Sequence, residues 1–302
     1  MTAVASRPAN DATTGRSWSA WTAGRLGWLI ALLVLAVLAG LPSWQNVLTL
    51  ALRSAEYSHM LMVLPVFGLL MWQRREELAA ITPRYSLWGV AVAALGVGMD
   101  FAGFASQIDL LKDLGMVVMV LGAVVAVAGP RWPLAAKAAF ASLLFLVPVP
   151  GRIRQQIALP LQEVSAWITQ WIMEFIGQPI TRMGNVLQIN GVDVAVAEAC
   201  NGMRMVVALA LVSYAFVFVM PLRPWARVVI LVASPLVAVF ANVLRLGPTV
   251  LFYGYTDREL ADFAHDVSGW AVLAVALGVL WGSVALARWL ELPIEPKRAG
   301  TA

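Results

Sequence analysis

Long apolar runs, separated by short polar segments, constrain the fold of this chain more than any other feature of its sequence. A helix needs roughly 20 apolar residues to cross the hydrocarbon of a bilayer, and backbone in that layer has to form its hydrogen bonds internally. The sequence therefore predicts an all-α polytopic membrane protein with about eight transmembrane helices, although Asp100 and Lys137 interrupt two of the runs and another is short. The predicted spans are 26–41, 57–72, 87–106, 114–129, 132–149, 205–222, 228–244 and 267–287.

The composition agrees with a membrane protein and disfavours several other classes. Hydrophobic residues make up 61% of the chain and charged residues 13%, whereas soluble domains are about half apolar and a quarter charged. The net charge of +4 does not indicate nucleic-acid binding, because the basic residues are spread along the chain rather than gathered in one patch. Two histidines and one cysteine are too few for a zinc site of the usual ligand types without help from carboxylates. No metal or other cofactor is expected.

The charge distribution predicts how the chain is oriented. Residues 1–25 are expected to form a disordered cytoplasmic tail, with a cleaved signal peptide as the rival interpretation, residues 26–290 a single transmembrane domain, and residues 291–302 a second cytoplasmic tail. With the N-terminus inside, eight alternating spans place thirteen of the 21 Lys and Arg residues on the cytoplasmic side. This excess follows the positive-inside rule, so both termini are predicted to face the cytoplasm.

The segment 150–199 is the longest one predicted on the outer side. Its first part has apolar residues at helical spacing and predicts an amphipathic helix that lies at the interface or packs on the bundle as a lid. Residues 186–196 predict a β-hairpin, because Asn190-Gly191 is a favoured two-residue turn and valines alternate after it. The apolar face of the helix comprises Ile157, Leu161, Val164, Ile168, Trp171, Ile172 and Phe175.

The predicted hairpin leads directly to Cys200, the only cysteine of the chain. A single thiol cannot form an intramolecular disulfide, so Cys200 is either a packing residue or a reactive one. The orientation above places Cys200, Arg245 and His265 on the outer side, each at the edge of an apolar run. These three residues can therefore meet at one depth of the membrane.

Together the three side chains suit nucleophilic catalysis. His265 can take the proton of the thiol and later protonate a leaving amine. Arg245 stays charged and is suited to binding an oxyanion or a carboxylate. Simpler interpretations stay open: Arg245 as an interfacial anchor, and His265, next to Asp266, as a polar residue that caps the last helix.

Three residues are candidates to support this group. Asn242 lies one turn before Arg245 and either orients it or forms a helix–helix hydrogen bond. Arg204 follows Cys200 by four residues and either pairs with Glu198 or is an interfacial charge.

Three further candidates precede the cysteine in the chain. Arg152 and Arg154 form a small basic site that binds either an acidic motif of a substrate or lipid headgroups. His59, at the start of the second predicted span, either supports catalysis or makes a structural hydrogen bond.

Three ordered sequence blocks resemble the signature blocks of the exosortase/archaeosortase family, and the resemblance extends over about residues 55–285. The first is Glu-Ala-Cys-Asn-Gly-Met-Arg at 198–204, the second Asn-Val-Leu-Arg at 242–245, and the third His265 with Gly269. Tyr57-Ser58-His59 and residues 146–152 look like two further segments of the family.

The resemblance implies an integral-membrane cysteine protease that acts as a transpeptidase. Members of the family recognise a C-terminal sorting tail on exported proteins, made of a short motif such as Pro-Glu-Pro, one transmembrane helix and a basic end. The family's Cys, Arg and His correspond to Cys200, Arg245 and His265. Expected partners are exported proteins with such a tail, the lipid and a surface acceptor, and the expected location is the bacterial inner membrane with the active site facing the periplasm.

A different class of function competes with this interpretation. Polar residues inside the spans, such as Asp100 and Lys137, are also typical of a transporter or of an assembly factor for exported polysaccharide. That alternative predicts that replacing Asp100 or Lys137 harms function more than replacing Cys200. The choice between water and an amine as the final acceptor is left open by the sequence.

Overall fold

A computed structural model describes residues 21–196 and 202–289, most of which are helical. Contacts divide the chain into two compact units, unit 1 (Met1–Val47 with Pro65–Val147) and unit 2 (Leu48–Leu64 with Pro148–Ala302). The expected all-α architecture is therefore found, with one small sheet. The helices are α1 (Ala23–Ala39), α2 (Leu41–Arg53), α3 (Met60–Gln73), α4 (Arg75–Ala80), α5 (Leu87–Ser106), α6 (Asp109–Ala128), α7 (Arg131–Ala135), α8 (Lys137–Ser142), α9 (Gly151–Phe175), α10 (Gly202–Val219), α11 (Pro224–Tyr255) and α12 (Arg258–Trp289).

Unit 1 is built around the antiparallel pair α5 and α6. The connection is short because Gln107 adopts a left-handed conformation (φ 57°), and its backbone N–H bonds the carbonyls of Gly103 and Phe104. Helix α1 packs against α6. Helix α6 is partly buried between Asp113 and Met119 and buried on all sides from Gly122 to Ala128, which makes α6 the central helix of this unit.

Glycines bring α5 and α6 into close contact. A Cβ atom at Gly96 would lie 2.7 Å from the backbone nitrogen of Met119, and one at Gly122 would lie 2.4 Å from that of Ala93. Small residues allow this approach in membranes, where association depends on packing rather than on the hydrophobic effect. The buried glycines recur every seven residues on each helix, which keeps them on one seam: Gly89, Gly96 and Gly103 on α5, and Gly115 and Gly122 on α6.

The structure contains fewer long spans than the sequence predicts. Within the described residues, three helices are long and apolar enough to cross a membrane, namely α5, α6 and α11. The bent pair α1 and α2, which meet at 77°, raises the number to four if it is one span. Helix α3 and the apolar stretches Val206–Val219 and Leu277–Leu286 are shorter. The predicted number of eight is therefore not reached. Five of the predicted runs do fall on helices of 18 or more residues, namely α5, α6, α10, α11 and α12.

The predicted span 132–149 is wrong as a single helix. Helix α7 ends at Ala135, α8 covers only Lys137–Ser142, and a 3-10 turn follows at Leu143–Leu146. The break occurs at Ala136, whose backbone leaves the helical conformation (φ −105°, ψ 32°). An apolar run does not fix helix continuity, because its side-chain pattern carries no information on where the backbone bends.

Unit 2 contains α9–α12 and a three-stranded antiparallel sheet in the order β1 (Ile180–Met183), β2 (Val186–Ile189), β3 (Val192–Ala195). The predicted hairpin is confirmed: β2 pairs with β3, and Asn190 and Gly191 occupy the turn with positive φ values of 50° and 77°. Strand β1 was not predicted; it has four residues, and four residues separate it from the end of α9.

One face of the sheet forms a core with α9 and α11. Leu187 and Ile189 of β2 are fully buried, together with Leu246 and Val250 of α11. The tip of the hairpin rests on the end of α11, where the Asn190 side chain donates to the Gly254 carbonyl at 3.0 Å. Strand β3 ends five residues before Cys200 in the sequence, so this core positions the strand that precedes the cysteine motif.

The amphipathic helix is confirmed as α9, and the structure shows which of its faces is buried. The large apolar side chains are mostly exposed, with Trp171 at 61% and Phe175 at 92%. The buried residues are instead small or polar, apart from Met173: Ala158, Gln162, Ser165, Ala166, Thr169 and Met173. In a membrane protein the large apolar face contacts lipid and the small polar face contacts protein, which is the reverse of a soluble amphipathic helix.

Candidate active site

The structure brings Arg245 and His265 together in unit 2. The terminal nitrogen Nη2 of Arg245 lies 3.1 Å from Nε2 of His265 and 3.3 Å from its backbone carbonyl oxygen. The Arg245 side chain is buried, with 6% of its surface exposed. A buried guanidinium is costly in a membrane protein and usually has a task, so this contact is the first argument for a functional site.

The two helices that carry the pair form an antiparallel hairpin. Arg245 lies in α11 and His265 in α12, and only Thr256 and Asp257 separate these helices. The hydroxyl of Thr249 donates to the Arg245 carbonyl at 2.9 Å, one turn further along α11. The hairpin therefore brings together two side chains that are 20 residues apart in the sequence.

Ser268 is a further contact of Arg245 that the sequence did not single out. Its hydroxyl accepts a hydrogen bond from Nε of Arg245 at 3.2 Å and donates to the His265 carbonyl at 2.7 Å. The sequence carried a signal, because Ser268 follows His265 by three residues and so shares its face of the helix. Bonds from Nε and Nη2 fix the plane of the guanidinium at both ends.

The geometry also constrains the state of His265. A guanidinium has only donors, so a ring nitrogen that bonds Arg245 has to accept. The Nη2 atom lies within hydrogen-bond distance of both ring nitrogens, 3.1 Å from Nε2 and 3.4 Å from Nδ1, and only an unprotonated one can accept from it. The lone pair that accepts from Arg245 is occupied, so His265 can take a proton from a thiol only after this hydrogen bond is exchanged.

The cysteine motif itself lies at the edge of the described structure. Glu198 and Cys200 lie outside the described residues. Arg204 belongs to α10, which begins at Gly202, but its side chain is outside what the structure describes. Helix α10 packs against α11 and α12, the two helices that carry Arg245 and His265.

Asn242 lies on α11, three residues before Arg245, beside a small cavity of α9, α10 and α11. Its Oδ1 atom is buried and has no hydrogen-bond partner among the described residues. Gln162 and Ser165, from the buried polar face of α9, line the same cavity. The structure places Asn242 near this cavity, and the described hydrogen bonds do not include one from Asn242 to Arg245.

Arg154 forms a second polar cluster of unit 2 with residues of the turn at 55–57. Its Nη1 atom donates to Oε2 of Glu56 at 2.6 Å and to the Tyr57 hydroxyl at 2.9 Å. Arg152, on the first turn of α9, is exposed. The two arginines predicted to form one basic site therefore differ, because Arg154 is held by a carboxylate of this chain.

His59 belongs to the same cluster. Its Nδ1 atom lies 3.2 Å from the Glu56 carbonyl oxygen, and 7% of the residue is exposed. Burial lowers the pKa of His59 below its ordinary value, and the contact with the Glu56 carbonyl opposes this shift only in part. His59 is thus a buried neutral histidine with a structural hydrogen bond in this arrangement.

Unit 1 contains a buried acidic group that the sequence analysis did not single out. Asp113 of α6 is fully buried, and neither carboxylate oxygen has a hydrogen-bond partner among the described residues. Asp100 of α5 accepts from the Ser43 hydroxyl at 3.2 Å. Lys137, the other intramembrane charge considered above, is exposed at the start of α8.

The fold and the site define a helical membrane protein with a buried arginine–histidine pair on a helical hairpin. Comparison with known families gives the more specific assignment. The sequence profile of the transmembrane exosortase family matches residues 44–282, which is most of the chain. The protein belongs to the transmembrane exosortase family, as the resemblance of its sequence blocks implies. No curated protein and no solved structure matches the chain significantly.

Proposed function

We propose that this exosortase is a cysteine peptidase and transpeptidase that cleaves the C-terminal sorting tail of exported proteins. The observation that carries the proposal is the bonded pair of Arg245 and His265, with Ser268 fixing the guanidinium. The buried guanidinium is the oxyanion binder, and the imidazole beside it becomes a proton acceptor once the hydrogen bond between them is exchanged. The third participant is the thiol of Cys200, two residues before α10 begins.

The proposed reaction has two halves. His265 takes the proton of the Cys200 thiol, and the thiolate sulfur attacks the carbonyl carbon of the scissile peptide bond. The C–N bond then breaks, and the imidazolium returns its proton to the departing amine. The product of this half is a thioester between Cys200 and the exported protein. In the second half an amine or water attacks the thioester carbonyl, gives its proton to His265 and releases the thiol.

Arg245 is proposed to stabilise the negative charge that develops on the carbonyl oxygen. A guanidinium carries five N–H donors in one plane, so it can be oriented by protein acceptors and donate to an oxyanion as well. Donors of this kind are worth about 10²–10³ in rate. The hydrogen bonds to Ser268 and His265 preorganise Arg245 for this task.

The proposed substrate is an exported protein with a PEP-CTERM-like tail, processed at the periplasmic face of the inner membrane. Arg152 is the exposed basic residue that we propose binds the glutamate of the tail motif. Arg154 is held by Glu56, so a substrate glutamate would have to replace that carboxylate. Helix α9 packs against α11 and is the proposed shield that keeps water from the thioester.

The decisive experiment is a cleavage assay with an exported reporter that carries a Pro-Glu-Pro tail. We expect wild-type protein to shorten the reporter, and the Cys200→Ala and His265→Gln variants to leave it intact. Each variant is first shown by immunoblot to reach the membrane in normal amount. Cleavage that survives in Cys200→Ala would exclude Cys200 as the nucleophile.

The mass of the new C-terminus separates hydrolysis from transfer. A free carboxylate means that water resolves the thioester, whereas an added mass identifies the acceptor amine. We expect an added mass in cells that contain the native acceptor and a free carboxylate when no amine is supplied. A free carboxylate in both conditions would make the protein a hydrolytic peptidase.

One observation favours a second candidate, the transporter or assembly factor. The buried carboxylate of Asp113, close to Asp100 in unit 1, is a feature of membrane proteins that move ions or polar substrates. Under this alternative, Asp113→Asn abolishes function while Cys200→Ala is silent. The cleavage assay, run on both variants, separates the two candidates.

A further inference from the structure

We propose that the substrate peptide docks as an added β-strand along the outer edge of β3, in the cavity between β3 and the α11–α12 turn. The inference rests on the proposed peptidase function and adds the conformation and the place in which the peptide is held.

The register shows which main-chain groups of β3 face away from the sheet. The backbone nitrogen of Val196 donates to the Asn185 carbonyl at 2.9 Å, and this pair continues the ladder in which Ala195 lies opposite Val186. Hydrogen-bonded pairs alternate along an antiparallel ladder. Val194 and Val192 therefore bond β2, whereas the N–H and C=O groups of Asp193 and Ala195 point to the open edge.

That edge is unpaired in the part of the chain that the structure describes. The sheet order is β1-β2-β3, so β3 has no strand on its other side. An open row of N–H and C=O groups is a template for one more strand. Recognition modules commonly bind extended peptides in this way, with main-chain hydrogen bonds supplying the affinity.

A cavity lies along the same strand. It measures about 430 Å³ and is lined by all four residues of β3 on one side and by Tyr253, Thr256 and Arg258 on the other. This volume lies within the range of sites that hold small ligands or short peptide segments. The wall opposite β3 is the turn between α11 and α12, the helices that carry Arg245 and His265.

The distance to the proposed catalytic group is suitable for a peptide. Tyr253 follows Arg245 by eight residues on α11, which corresponds to about 12 Å along a helix. An extended peptide covers this distance with about four residues. The chain also runs from Ala195 to Cys200 within five residues. A peptide paired with β3 would thus place its scissile bond about four residues from the segment held in the cavity.

The sheet offers a matched test of this docking mode. Thr181, Gln188 and Asp193 lie opposite one another in one row, with Thr181 on the β1 edge and Asp193 on the β3 edge. Both edge residues are exposed. Because Cys200 is the only cysteine, a Cys200→Ala background allows a single new cysteine to be placed at either edge.

The experiment measures disulfide formation between Asp193→Cys in that background and tail reporters that carry one cysteine at successive positions. Neighbouring strands place Cα atoms within disulfide reach, so we expect cross-links at alternate tail positions, within about four residues of the cleavage site. The same scan with Thr181→Cys should give at most background. Equal cross-linking at the two edges, loss of the alternation, or no cross-link at Asp193→Cys would overturn the inference.

A second measurement uses Ala195→Pro, which removes an N–H that points to the open edge. Proline is tolerated at such edge positions, so the melting temperature should stay close to that of wild type. We expect reporter cleavage to slow by about tenfold or more, and to slow by much less in Ala195→Val, which keeps the N–H. Equal cleavage by the two variants would contradict pairing at Ala195, and if Ala195→Pro does not fold, the cross-linking scan decides.

The two proposals fail in different ways. Cross-linking is measured with Cys200→Ala and requires no cleavage, so alternate cross-links without Cys200-dependent cleavage would support the docking mode and refute the peptidase. Cys200-dependent cleavage by wild type without cross-links at Asp193→Cys would refute only the docking mode.

Discussion

The helix pairs α5–α6 and α11–α12 are both antiparallel hairpins, but different groups meet at their contacts. In unit 1 the contact is made by glycines, and backbone atoms of α6 lie where a Cβ of α5 would be. In unit 2 the contact contains Arg245, His265 and Ser268, joined by hydrogen bonds. Glycine contacts stabilise a fold without offering chemistry, whereas buried polar contacts cost stability and are retained where they serve a function. The comparison gives the first seam a structural role and makes the second the place of the proposed chemistry.

The glycine seam gives the largest expected effect. A Cβ at Gly96 would lie 2.7 Å from the Met119 nitrogen, whereas one at Gly98 of the same helix meets nothing within 4 Å. We expect Gly96→Leu to destabilise the protein by about 3 kcal/mol or more and Gly98→Leu to change stability by about 0.5 kcal/mol at most. Size-exclusion chromatography and thermal melts in detergent measure the difference. Similar melting temperatures for the two variants would refute the close approach of α5 and α6.

Disrupting the polar contact of Arg245 should have the next largest effect, a loss of cleavage activity rather than of stability. Arg245→Lys keeps the positive charge but loses the planar fork that bonds both Ser268 and His265. Reporter cleavage should fall by about a hundredfold, with near-normal protein in the membrane. Arg53→Lys, at an exposed position on α2, is the control and should cleave like wild type. Normal cleavage by Arg245→Lys would show that Arg245 acts as a charge alone.

The smallest expected effect is a change in the pH dependence of stability when His59 is replaced. It tests whether a buried polar residue of unit 2 has a structural role. Burial lowers the pKa of His59, so below about pH 6.5 the unfolded chain binds this proton more readily than the folded one. The contribution of neutral His59 to stability is therefore present above about pH 6.5 and is lost as the pH falls from there towards the lower pKa of the folded state.

Melting temperatures between pH 8 and pH 5.5 check this expectation. The loss on acidification should be smaller in His59→Gln than in wild type, and reporter cleavage at neutral pH should change little. His265 is present in both proteins and cancels from the comparison. Parallel pH profiles would mean that His59 titrates normally, and a large loss of cleavage would give it a role in the reaction.

Much of the architecture follows from the sequence because it depends on local pattern. The Asn190-Gly191 turn formed as predicted, since only residues that tolerate positive φ fit a two-residue hairpin loop. Helix α9 formed as well, but its buried face could not be predicted. Apolar periodicity marks a helix without stating whether lipid or protein covers the apolar side, and here the small polar side contacts protein.

The candidate site was predictable in its members and not in its contacts. Arg245 and His265 were singled out because chemically useful residues at the edge of apolar runs are uncommon, and both lie within the residues that the family match covers. Arg154 was expected to be available to a substrate, but it pairs with Glu56, 98 residues earlier in the chain. No local pattern contains such a pairing.

The sequence by itself determined that this chain is a helical membrane protein of the exosortase family, because hydropathy and short ordered motifs are properties of the linear chain. Only the tertiary structure decided that Arg245 reaches His265 and Ser268, and that the edge of β3 borders a cavity at the α11–α12 turn. These facts depend on where the chain reverses and on which helix faces meet, and side-chain packing between distant segments sets both.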